Sequence, residues 1–67
     1  MPNELKPNLI KNWTLEKCYD GFVIIGYIFN DEKQRFADGT PIHTSRVRLI
    51  DFVDKVAKTL NSTYNLE

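Results

Sequence analysis

Cysteine and histidine are almost absent from this chain of 67 residues, where Cys18 and His43 each stand alone. One cysteine excludes an intrachain disulfide and a thiolate metal cluster. One histidine leaves a zinc site short of ligands unless carboxylates or a second chain supply them. The chain has no G-x-x-x-x-G-K-[ST], no G-x-G-x-x-G and no H-E-x-x-H. A Ser-His-Asp arrangement can be written from Ser45 and His43, but two residues on one strand come that close by chance in many proteins. Free-standing catalysis is therefore disfavoured, and no cofactor or metal is expected. An excess of either charge is also missing, since nine Lys+Arg offset nine Asp+Glu. Nucleic-acid binders draw affinity from surplus cations, so that class is disfavoured too. A neutral chain is less protected from self-association, which favours a homo-oligomer.

Long hydrophobic runs are missing as well. Nothing approaches the roughly 18 residues of a membrane span, and the N-terminal residues Met1-Pro-Asn-Glu-Leu-Lys-Pro lack the apolar core of a secretory signal. The expectation is a cytoplasmic protein with no membrane partner and a reduced Cys18. On that reading the sequons at Asn12 and Asn61 are coincidental.

What is present is enough to fold. Hydrophobic residues make up 42% of the chain, near the globular norm, and the length suits one small domain. Residues 1–11, with two prolines and two asparagines, read as an extended N-terminal arm tacked down by Leu5, Leu9 and Ile10. Residues 12–67 read as a single small β domain. Trp13 to Cys18 suits a short strand, and Asp20-Gly21 a tight hairpin turn. Phe22-Val-Ile-Ile-Gly-Tyr-Ile-Phe29 is the strongest strand signal, apolar on both alternating faces as in a strand covered on both sides. Gly26 inside it marks a bulge or bend. A polar loop follows from Asn30 to Gln34, then a second turn at Asp38-Gly39, then a strand from Ile42 to Ile50.

The segment after Leu49 supports two readings. Leu49, Phe52, Val53, Val56, Ala57 and Leu60 recur at helical spacing, which favours an amphipathic helix over 49–60 and an α+β fold. The other reading makes Asp51 to Asp54 a turn, with strands at 55–61 and 63–66.

The stretch Arg35-Phe-Ala-Asp-Gly-Thr-Pro-Ile-His-Thr-Ser45, with the later Thr59-Leu-Asn-Ser-Thr-Tyr-Asn-Leu66, resembles a small family of uncharacterised phage and prophage accessory proteins. Arg35, Phe36, Asp38, Gly39, Ile42, Thr44 and Ser45 carry the first block; Thr59, Asn61, Ser62, Tyr64 and Leu66 carry the second. The resemblance implies a mainly β fold, a small twisted antiparallel sheet or SH3-like barrel, with Asn61-Ser62 near a turn. The family brings no function of its own. The resemblance, the missing catalytic inventory and a size suited to occlusion together point to a non-enzymatic phage-type protein that binds and occludes a host protein. Its target is a component of antiviral defence or another host protein. The residues suggest one ligand or partner site, a polar patch of Arg35, His43, Thr44, Ser45, Arg46 and Arg48, since guanidinium and hydroxyl groups together suit phosphate. An alternative function follows from it: an oligomeric nucleotide sponge, with Tyr64 stacking on the base. The bland reading makes Asp38-Gly39 a turn, Thr44 and Ser45 loop anchors, the arginines a solvated face and Tyr64 a core ring.

Overall fold

A computed structural model describes residues 6–67, which form six strands of one mixed sheet and no helix. The strands are β1 (Leu9–Cys18), β2 (Gly21–Phe29), β3 (Thr40–His43), β4 (Val47–Asp51), β5 (Val56–Thr59) and β6 (Thr63–Leu66). Their spatial order is β3-β2-β1-β6-β5-β4. The mainly β expectation holds, with one difference: the sheet is not purely antiparallel. β1 and β6 run parallel, with Leu9 opposite Asn65 and Ile10 opposite Leu66. Residues 1–5 of the expected N-terminal arm lie outside the described residues; Leu9–Lys11 already belong to β1.

The amphipathic helix expected as the alternative over 49–60 is replaced by a hairpin. Asp51 pairs with Val56 across a turn of residues 52–55. The Asp51 carboxylate accepts the backbone N–H of Val53 and of Asp54, each at 3.0 Å. Lys55 completes the turn at φ 58°. That side-chain acceptor competes with helix formation at the residue where a helix would have to continue. Four of the six stripe residues, Leu49, Phe52, Val53 and Leu60, consequently face solvent.

The single strand expected from Ile42 to Ile50 is also broken, into β3 and β4. These are the two edges of the sheet, and only residues 44–46 join them. At the break Thr44 donates its N–H to the carbonyl of Ile24 on β2 at 2.9 Å. Two residues later the Arg46 carbonyl accepts the N–H of Leu60 beyond β5 at 3.1 Å. One short segment thus bonds to both halves of the sheet and rolls it toward a barrel, which shortens the exposed edges.

Inside the curl lie Ile10, Ile24, Ile28, Ala57, Tyr64 and Leu66, with Trp13, Ile42, Val47 and Ile50 packed against them. The bulge expected at Gly26 sits on the neighbouring strand. Lys11 opposes Tyr27 and Thr14 opposes Ile25, so Gly26 faces both Asn12 and Trp13. Asn12 takes up the extra residue at φ 53°, a conformation asparagine tolerates. Gly26 is required for space: a Cβ there would meet Ile10 Cγ2 at 2.5 Å and the backbone of Lys11 and Trp13 at 3.1 Å. Gly21 does not supply the positive φ expected of the first hairpin, where Tyr19-Asp20 turn the chain without one. At the second expected turn, Thr40 N–H bonds to Ala37 O at 3.1 Å and Gly39 sits at φ 85°. That φ is the one a type II turn needs at its third residue.

Among the described residues no helix is long and apolar enough to cross a membrane.

Candidate functional site

The residues expected to form one polar patch are divided among several networks. Thr44 is buried, and its hydroxyl accepts the Ile24 N–H at 3.0 Å while donating to the Ser45 carbonyl at 2.7 Å. The acceptor role ties β2 to the 44–46 break and the single hydroxyl proton goes to the neighbouring carbonyl, so Thr44 has no donor left for a phosphate. Ser45 Oγ accepts from Asn61 Nδ2 at 2.6 Å, tying the same break to the β5–β6 turn. Arg46 lies against Gly21 and pairs with Asp20 in the first hairpin. Hydrogen bonding from Arg46 holds the Asp20 carboxyl below its ordinary range, and Asp20 raises the guanidinium in turn. His43 is exposed on β3, opposite Ile25.

Arg35 belongs to a site the sequence did not announce. Asp31, within a wholly polar stretch, is buried with its side chain fully covered. Its carboxylate accepts Arg35 N at 2.7 Å, Nε at 3.2 Å and Nη2 at 3.1 Å. The hydrogen bond from the Arg35 side chain is the main cause that holds Asp31 below its ordinary value, against the opposing effect of burial. Arg35 is raised by Asp31 first and by the Tyr64 hydroxyl second. Tyr64 itself is only 5% exposed, a core ring with no face left to stack on a base. This cluster closes the 30–39 loop over the core. The Asp-x-x-x-Arg spacing was the available signal, but outside a helix that spacing carries little information.

Arg48 stands apart. The register slips between Val47 and Leu49, leaving Arg48 as an extra residue where β4 passes Lys58 and Thr59. Arg48, Leu49, Lys58, Thr59, Leu60, Asn61, Ser62 and Thr63 line a shallow groove of about 520 Å³. The β5–β6 turn forms its far wall. There the Thr59 hydroxyl donates to Ser62 O at 3.0 Å and receives Ser62 N at 3.2 Å.

The second surface is apolar. Strand alternation puts Ile24 and Ile28 in the core, and Val23, Ile25, Tyr27 and Phe29 on the opposite face of β2. Ile25 and Tyr27 remain 38% and 44% exposed. The register places Lys11, Thr14 and Glu16 of β1 on one side of this stripe, and Pro41 and His43 of β3 on the other. The double-sided apolar pattern of this strand was legible in the sequence; within one chain only one side is fully covered.

No group of three or more His, Cys, Asp or Glu able to hold a metal ion occurs among the described residues. No family model, curated protein or solved structure matches this chain. The functional reading therefore rests on its own geometry.

Proposed function

We propose that the protein acts without catalysis, as a small phage-type accessory protein that docks on a host protein and occludes it. The observation that carries this reading is the uncovered apolar face of β2, centred on Ile25 and Tyr27. A small domain has little apolar surface to spare for solvent. A strip of aliphatic and aromatic side chains with a charged rim has the composition of an interface centre. The small size suits action by occlusion, and we take a host component of antiviral defence as the target class. A homo-oligomer would use the same face, with a second copy as its occupant.

The test is capture from host lysate with native protein and with the double variant Ile25→Glu, Tyr27→Glu. Native protein is expected to retain one partner in stoichiometric amount, and the variant to lose it while unfolding at an unchanged temperature. Equal capture by both proteins refutes the assignment of the face. Native mass spectrometry of the purified protein separates the two occupants: a dimer that the variant abolishes assigns the face to self-association.

A further inference from the structure

We propose that the groove between β4 and the β5–β6 turn is a phosphate-binding site centred on Arg48 and Lys58, and that its ligand is a small phosphate ester with an apolar part. This goes beyond the docking face of β2 and uses none of its residues.

The first argument is how the arginines are used. Arg35 is engaged by Asp31 and Arg46 by Asp20. The Arg48 side chain has no ion pair or hydrogen bond with any described residue, and neither has that of Lys58. The eight groove residues include no Asp or Glu. Two unneutralised cations therefore share one concavity.

The second argument is that the sheet places them there at its own expense. Leu49 is the direct partner of Lys58, and the irregularity next to it brings Arg48 to the same pairing position. Like charges across a strand pair are destabilising. A dianion between them reverses the sign of that interaction, and a planar guanidinium gives phosphate two parallel donors.

The third argument is the rest of the lining. Thr63 presents an exposed hydroxyl directly across from Lys58. Ser62 Oγ is buried beside the groove without a hydrogen-bond partner among the described residues. Buried polar atoms are nearly always paired, so this unmet hydroxyl is an unsatisfied group in a residue that borders the cationic groove. Leu49 and Leu60, each 53% exposed, border the same groove and supply the surface for an apolar group. Its volume lies within the usual range for small-ligand sites.

The experiment titrates labelled protein with inorganic phosphate, then with phenyl phosphate, following backbone amide resonances. Saturable shifts confined to residues 48–49 and 58–63 are expected, with phenyl phosphate binding roughly tenfold tighter than phosphate. Arg48→Ala and Lys58→Ala should each weaken phenyl phosphate at least tenfold, and Arg48→Lys should restore only part of the loss, because it keeps charge but not the paired donors. Both side chains are exposed, so the variants should unfold at the native urea midpoint or above it. Shifts spread evenly over the lysines, or affinity unchanged in the alanine variants, would overturn the site. Vesicles with and without phosphatidylglycerol distinguish the phosphate source. Binding to anionic vesicles without any response to phenyl phosphate would overturn the soluble ester.

Discussion

Replacing Gly26 with alanine perturbs the place where the bulge, the core and the central strand meet. In an ordinary strand the change would stabilise by about 0.5–1 kcal/mol, because alanine loses less backbone entropy on folding. Here the new methyl lands 2.5 Å from Ile10 Cγ2, well inside van der Waals contact. Ile10 is 0% exposed, so its side chain is enclosed on all sides. On the other sides stand the Lys11 carbonyl and Trp13 Cα at 3.1 Å, both main-chain atoms of the bulge. Forcing one methyl into a packed core costs about 1–3 kcal/mol, which leaves a net destabilisation of about 1–2 kcal/mol. For a domain this small, that corresponds to a fall of roughly 5–15 °C in Tm. Urea and thermal unfolding, followed by Trp13 fluorescence, should show a lower midpoint and an unchanged slope. A double-mutant cycle with Ile10→Ala locates the clash: in that background Gly26→Ala should cost at least about 1 kcal/mol less, since Cγ2 is gone. An unchanged or higher Tm for Gly26→Ala alone would refute the close-packed bulge.

The remaining predictions concern the polar ties. Thr44→Val keeps the shape but removes the acceptor for the Ile24 N–H, so it should lower stability by about 1–3 kcal/mol in urea, and Thr44→Ser should restore most of it. Asp31→Asn removes the charge from the covered end of its pair with Arg35; because Arg35 is partly exposed, the expected loss is about 1–2 kcal/mol, with faster amide exchange over residues 31–39. The pH dependence has a fixed sign. Asp31 lies below its ordinary 3.8 when folded, so its contribution is present above about pH 4 and disappears as pH falls through the folded value. Asp31→Asn should therefore flatten the loss of urea stability below pH 4, and an unaltered acid profile would contradict the pairing.

Local chemistry was legible where it had one solution. The β-branched and aromatic run at 22–29, the glycine at Asp38-Gly39 and the turn near Asn61-Ser62 all appear where the sequence put them. Long-range choice was not legible. Nothing in Leu9-Ile10 or Asn65-Leu66 specifies that they run parallel, because that pairing is fixed by how the sheet closes. The stripe from Leu49 to Leu60 kept a helix open as the alternative for a definable reason. A strand end, a four-residue turn and a second strand reproduce helical spacing, and periodicity carries no information about the Asp51 carboxylate capping the turn. The helical alternative would separate Lys58 from Arg48; only the strand register brings the two together. The expected polar patch dissolved because counting arginines does not reveal which are already neutralised; Asp20 and Asp31 take Arg46 and Arg35.

These assignments bear on why the chain is stable at all. Among the described residues the largest fully buried side chains are Ile10, Ile24 and Ile28, a small core for a domain of this length. Polar anchors fix much of what that core does not reach. Asn8 alone donates its N–H to Asn30 O, accepts Glu32 N and donates a side-chain N–H to Thr63 O, joining the start of β1 to the 30–39 loop and to β6. Meanwhile ten large apolar side chains among the described residues remain exposed, including Ile25 and Tyr27 on the β2 face and Leu49 and Leu60 at the groove. Folding alone would favour drawing such side chains inward or replacing them with polar ones, since each forgoes part of the 1.5–3 kcal/mol that full burial supplies, to order of magnitude. The retention of these four, Ile25, Tyr27, Leu49 and Leu60, on two distinct surfaces, one neutral with a mixed rim and one cationic, is what binding would require and what stability of the isolated chain would not. Occupation of either surface should therefore raise Tm in proportion to ligand excess over Kd, and the two increments should add if the surfaces are independent. A shift at one surface that abolishes the shift at the other would show instead that they form a single site.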